Sequence, residues 1–393
     1  MNSLAVRIFT GIATFVIGVA VASLFIFQRQ SAQIAPVDLG GNTPALEMVF
    51  VLDTTGSMGG LIDGAKQRIW GIVNDVMQSS SHPSVKIGLV AYRDRGDEYV
   101  TQVLPLTDDL DKVYTTLMGY NAAGGGDGPE NVRRALADGL NKAGWSYHGQ
   151  NVARIIFLVG DAPPHDDYAD EQDTLLSASL AVKQGMIVNT IQCGIEPATT
   201  QVWKAIAQRG QGQYFAIPQN GGVQTISTPY DDQISELGTK LGGTYLAFGG
   251  GLGEAGVQYR LEAKNIADST EAMVARSAPA EARVQRSVNK VINGKAYIGD
   301  LLQEIENGSM KIDSVKEEDM PSELRGLSAT DRTKEIERRL AERREIRQQI
   351  LELSKQRTDY IAAEQKKRSG ETKNSFDLAV SVALKEQLAR KIK

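Results

Sequence analysis

VFVLDTTGSMGG, residues 49–60, runs an apolar, strand-like stretch into one acid, two threonines, a serine and three glycines. Asp53 stands at the carboxyl end of that strand, and Thr55 and Ser57 follow at alternate positions. In an extended turn their three side chains project the same way. Gly56, Gly59 and Gly60 free the backbone to turn into the next helix. One carboxylate and two hydroxyls make a hard-oxygen set suited to Mg²⁺ or a related ion. The alternative is a capped strand-to-helix turn, since Ser, Thr and Asp all cap helices.

Outward from this stretch the pattern alternates. Apolar, strand-like runs occupy 46–53, 85–92, 99–104, 154–160, 187–193 and 213–217, and helical spacing of apolar residues marks Leu61 to Met77, Pro129 to Ala143, Asp173 to Lys183 and Thr199 to Gln208. A last helix is expected over about Asp231 to Leu246. Continuous apolar strands interleaved with helices predict an α/β fold, a doubly wound, mostly parallel sheet covered on both faces. The step from 92 to 99, through Arg93 to Glu98, is too short for a crossover helix, so one antiparallel edge strand is expected. In such a sheet ligands bind beyond the carboxyl ends of the strands, where Asp53 stands.

VFVLDTTGSM resembles the metal-ion-dependent adhesion site of the von Willebrand factor type A domain, whose motif is Asp-x-Ser-x-Ser with a Thr and an Asp from later loops. The later Asp is matched by Asp161 in RIIFLVGDAPPH; Thr55 replaces the first Ser and keeps its hydroxyl. The Thr is not matched: in AAGGGDGPENV, Gly126 stands in its place and Asp127 is the nearest oxygen donor. Asp127 has a second reading as a residue leading into a helix that starts at Pro129. The resemblance covers about residues 45–248, and DAPPH and GGGDGPE are similar to bacterial members of the superfamily. It implies Mg²⁺, or Ca²⁺ or Mn²⁺, held by Asp53, Thr55, Ser57, Asp127 and Asp161, with a carboxylate from a partner protein completing the ion's shell. If Asp127 coordinates, a third anionic ligand weakens the pull on that partner. The implied function is non-catalytic protein binding in adhesion or complex assembly; the alternative is a substrate adaptor or regulatory subunit of a separate ATPase or kinase.

The flanks complete the organisation. Residues 8–27 carry no charge over the ~20 residues needed to cross a bilayer, so 1–29 reads as a signal anchor, a single transmembrane helix. Arg7 and the amino terminus lean the bulk of the chain toward the periplasmic or extracellular side. Residues 30–44 read as a tether, 249–256 as a glycine-rich joint, and 257–393 as a mostly helical extension too poor in aromatics for a compact second core. Within it a charged helix over about 331–368 places Ile346, Ile350, Leu353 and Tyr360 on a coiled-coil-like seam, broken by Arg343 and Arg357. Homo-oligomers through these helices are a third reading of function.

A net charge of −5 from 43 basic and 48 acidic residues gives no field for nucleic acid, and the lone Cys193 excludes an internal disulfide. There is no Walker loop, Gly-x-Ser-x-Gly elbow or His-Glu-x-x-His pair, so no enzyme is expected. Arg95-Gly96-Asp97 reads as a hairpin turn rather than an adhesion tripeptide, and Gly251-x-Gly253-x-x-Gly256 as a hinge rather than a dinucleotide fingerprint. His165, amid acids in DAPPHDD, reads as a solvated loop histidine, with a place beside the metal as the other reading.

Overall fold

Six strands form the expected sheet: β1 (Ala45–Asp53), β2 (Ser84–Tyr92), β3 (Thr101–Thr107), β4 (Val152–Gly160), β5 (Ile187–Cys193) and β6 (Gln211–Ile217). Their order is β3-β2-β1-β4-β5-β6. Neighbours pair in parallel except β3, which runs antiparallel to β2 at the edge. The computed structural model describes residues 45–77, 84–146, 152–217, 226–278, 280–292, 297, 299–367 and 375–391. The expected anchor and tether lie outside the described residues. Among the described residues no helix is long and apolar enough to cross a membrane.

Alternation along β1 splits the core in two. Leu46, Met48, Phe50 and Leu52 face one layer with Trp70 of α1 (Ile62–Met77) and Tyr114 of α2 (Leu110–Gly119). Val49 and Val51 face the other with Leu136 of α3 (Val132–Asn141), Ala178 of α4 (Thr174–Lys183) and Trp203 of α5 (Pro197–Arg209). Burying an apolar side chain of this size stabilises by about 1.5–3 kcal/mol. The central strands β1, β4 and β5 are covered on both faces and buried along almost their whole length, including the polar Asn189, Thr190 and Gln192 of β5.

The C-terminal helices meet the shortage of large side chains by joining the sheet domain. Ile234 and Leu241 of α6 (Asp231–Gly243) pack with Val284 and Val288 of α8 (Ala280–Ile292) and Ile346 and Ile350 of α10 (Ala329–Lys367). Between these lie α7 (Gly253–Ser277) and the short α9 (Leu301–Glu306). Val380, Leu384 and Leu388 of α11 (Ser375–Lys391) complete the core layer that holds Phe50. Reciprocal amide hydrogen bonds, Asn189 Nδ2 to Gln387 Oε1 at 3.0 Å and Gln387 Nε2 to Asn189 Oδ1 at 2.8 Å, pin α11 to β5.

The seam of α10 therefore faces this chain's own α6 and α8, and its two arginines are buried in ion pairs. Arg343 pairs with Asp300 and donates to Thr244 Oγ1 at 2.9 Å. Arg357 pairs with Asp231 at 2.8 Å and with Glu281. The expected joint is also more ordered than its glycines suggest, since α7 begins at Gly253. Asp319 Oδ1 accepts from the Gly251 and Gly253 amides at 3.0 and 2.8 Å, occupying donors that a dinucleotide would need. Removing one partner of a buried pair leaves the other charge uncompensated. Asp300→Ala should cost about 3–5 kcal/mol in a denaturant titration; a loss below about 1 kcal/mol would show that this pair does not hold α10 in place.

Candidate metal centre

In the strand order, β1 lies between β2 and β4, the point where connections leave to opposite sides and a crevice opens at the carboxyl ends. Asp53 is the last residue of β1, and Asp161 follows Gly160 at the end of β4. A side chain at Gly160 would run into the Tyr92 hydroxyl and come within 3.0 Å of Asp53 Oδ2, so only glycine lets the two strands end together here. After β1 the chain enters a tight 3₁₀ turn at Gly56–Gly60. Asp53 Oδ1 accepts from the Thr55 amide at 2.9 Å and the Thr55 hydroxyl at 2.7 Å. Thr55 Oγ1 lies 3.0 Å from Ser57 Oγ, which donates to Asp161 Oδ1 at 2.9 Å. Four of the expected ligand residues thus form one connected set, buried at Asp53 and open to solvent at Ser57.

The loop before α3 closes over this set. The Gly56 amide donates to Gly124 O and the Ala123 amide to Thr54 O, both at 3.0 Å. Gly124 and Gly125 have φ of +74° and +71°, and a Cβ on Gly125 would meet Glu130 Oε1 at 2.8 Å. Helix α3 starts at Val132 with Asn131 as its cap, accepting from the Arg134 amide at 3.0 Å. Neither Asp127 nor Pro129 begins that helix. Residue 130 instead bridges to Pro164, and the Glu130 side chain is buried against Thr55. Glu130 is the site residue that sequence reading missed; an acid directly after the Gly-rich loop was its only signal. Asp127 is turned elsewhere: it is exposed, with Oδ1 3.4 Å from His165 Nε2. A Cβ on Gly126 meets no atom within 4 Å, so the missing threonine leaves open space.

The electrostatics favour a cation. Burial, then repulsion from Asp161, pushes the Asp53 carboxyl up to about 7 against the hydrogen bonds from Thr55. Burial, then Asp53 and Asp94, pushes Glu130 up to about 9, and burial also raises Asp161. Asp53 Oδ2 and Glu130 Oε2 are buried without a hydrogen-bond partner. A buried carboxylate left unpaired is costly, and a hard divalent ion is the ligand that relieves acidic and hydroxyl oxygens together. Asp53, Thr55, Ser57, Asp161 and Glu130 therefore fit such an ion.

The hairpin tripeptide is an internal brace. Arg95 pairs with Asp170 at 2.9 Å and Glu171 at 2.8 Å, and Asp97 accepts from the Gly125 amide at 2.9 Å. Gly96 supplies φ of +93°. His165 is buried rather than solvated, among Asp94, Asp127 and Asp167. Burial lowers its proton affinity, but these three acids together raise it above the ordinary histidine value.

Raised carboxyls stabilise the fold most when protonated. Without divalent ions, the contribution of Asp53 is complete below its unfolded value near 4 and is lost as pH rises through about 7; that of Glu130 is lost through about 9. Thermal midpoints in chelator should fall from pH 5 to pH 9, and Asp53→Asn should flatten the lower part of that decline. A midpoint that rises over this interval in chelator would contradict the assignment.

A family model described as von Willebrand factor A domain matches residues 47–229. The von Willebrand factor A domain-containing protein 7 of Homo sapiens is 36% identical over 130 residues, 33% of this chain and 13% of that protein. Its Rattus norvegicus counterpart is 37% identical over 126 residues, 32% of this chain and 13% of that protein. The match thus spans only 13% of the length of these relatives. Among solved structures, the conserved hypothetical protein BatB from Bacteroides thetaiotaomicron is similar at 18% identity and a TM-score of 0.33, covering 44% of this chain and 90% of that one. By the family model and these relatives, residues 47–229 of the chain are a von Willebrand factor A domain.

Proposed function

We propose that this chain is a divalent-cation-dependent protein-binding module, non-catalytic, that acts in adhesion or complex assembly. The observation that carries the reading is the connected set Asp53, Thr55, Ser57 and Asp161 at the strand ends, with buried carboxylate oxygens left unpaired on Asp53 and Glu130. Mg²⁺, or Ca²⁺ or Mn²⁺ in its place, would supply a Lewis-acidic position for a carboxylate of a partner protein. Thr55 and Ser57 contribute neutral oxygens, while Asp53, Asp161 and Glu130 bring three carboxyls to the ion. Asp127, placed against His165, is left out of this set, but Glu130 takes its place as the third acid, which weakens the ion's pull on a partner carboxylate and favours a weakly bound partner. The uncharged run at 8–27 supports tethering to a membrane, and Arg7 with the amino terminus leans the bulk of the chain toward the side away from the cytoplasm.

Because Asp53 and Glu130 hold protons near neutral pH, cation binding should release them. Calorimetric titration of the full chain with Mg²⁺ at pH 7, in two buffers of different ionisation enthalpy, should give one ion at this set with net proton release. Asp53→Ala should abolish that binding. No saturable binding, or binding untouched by Asp53→Ala, would refute the proposal.

A further inference from the structure

A second group of ligating side chains lies where the loops after β2, before α3 and after β4 meet. His165 Nε2 is 3.3 Å from Asp94 Oδ2 and 3.4 Å from Asp127 Oδ1. One ligand atom from each of the three residues lies within 4.8 Å of the others. The residue is 7% exposed, yet Nε2 makes no hydrogen bond. Its orientation is set from the other side of the ring, where Nδ1 is 2.8 Å from Asp167 Oδ1. A carboxylate only accepts, so Nδ1 carries a hydrogen, and once the ring gives up its second proton to a metal Nε2 presents its lone pair between Asp94 and Asp127. Tyr168 fixes both partners: its ring stacks on His165 at 4.2 Å, and its hydroxyl donates to the two Asp94 oxygens at 2.9 and 3.0 Å. Arg95, held by Asp170 and Glu171, lies 3.9 Å from the centre of the Tyr168 ring.

We propose that Asp94, Asp127 and His165 form a second divalent-metal site, separate from the Asp53 set and suited to a first-row transition ion such as Zn²⁺. Ligand atoms about 2.0–2.2 Å from a tetrahedral ion stand roughly 3.4 Å apart, which is the spacing around Nε2. The imidazole nitrogen favours Zn²⁺ over Mg²⁺ and Ca²⁺, which take oxygen ligands. Asp167 and Tyr168 supply the supporting contacts that orient ligands at metal centres. The Asp127 side chain is 61% exposed, so the site opens to solvent on that side and leaves a position for water or a partner group. The competing state is an imidazolium paired with the same acids and no metal.

The test uses the purified full-length chain in excess Mg²⁺, so that the Asp53 set is not available to zinc. Bound Zn²⁺ is counted by elemental analysis after dialysis, and affinity is measured by calorimetric titration. One Zn²⁺ per chain is expected, weakened at least about 10-fold in His165→Gln and in Asp127→Asn and unchanged in Ser57→Ala. Asp127 is exposed, so its variant reads binding without disturbing the core, and circular dichroism verifies that each variant is folded. No bound zinc would overturn the proposal. So would equal binding by His165→Gln and Asp127→Asn, meaning an adventitious ion only, or loss of zinc in Ser57→Ala.

Discussion

Burial of three carboxyls, Asp53, Glu130 and Asp161, reinforced by repulsion of Asp53 from Asp161 and of Glu130 from Asp53, governs the end of the sheet where β1 and β4 finish side by side. Their neighbours answer that repulsion. Thr55 gives Asp53 two hydrogen bonds, Ser57 gives Asp161 one, and the Gly124-Gly125 turn lets the covering loop approach closely enough to bury Glu130. Two oxygens still have no donor. A site built only to cap a helix would not leave them so, since a cap satisfies its carboxylate with backbone amides.

How much of this could be read from the sequence depends on the range of the interactions. Asp53, Thr55 and Ser57 sit within one turn, so their alternation alone put them on one face. Asp161 was legible through resemblance and through its place after an apolar strand. Glu130 was not, because its role arises from a bridge to Pro164 and from burial behind Gly125, contacts between loops distant in sequence. Reading Pro129 as a helix start also hid it: the cap is Asn131, and the preceding residues stay extended enough to pair. Asp127, chosen as the nearest oxygen donor to a missing threonine, is carried away by the same loop to His165.

The C-terminal region shows a similar limit. Arg343 and Arg357 looked like faults in an apolar seam because their carboxylate partners, Asp300, Asp231 and Glu281, lie far away in the chain. Once paired they are the contacts by which α10 recognises α6, α8 and the loop before α9. Few aromatics were needed, since α10 and α11 finish cores already begun by the sheet domain. The extension is thus continuous with the domain that carries the metal centre, and movement of α11 against β5 would be felt through Asn189 in the sheet itself.

The most direct test of the central claim is a crystal structure of the Mn²⁺-soaked protein with an anomalous difference map recorded at the manganese edge. The account predicts a peak within coordination distance of Ser57 and Asp161, beside Asp53, with Glu130 turned to face it or its water. Absence of a peak there at saturating Mn²⁺, with the Asp53 oxygens instead satisfied by protein or solvent donors, would contradict it.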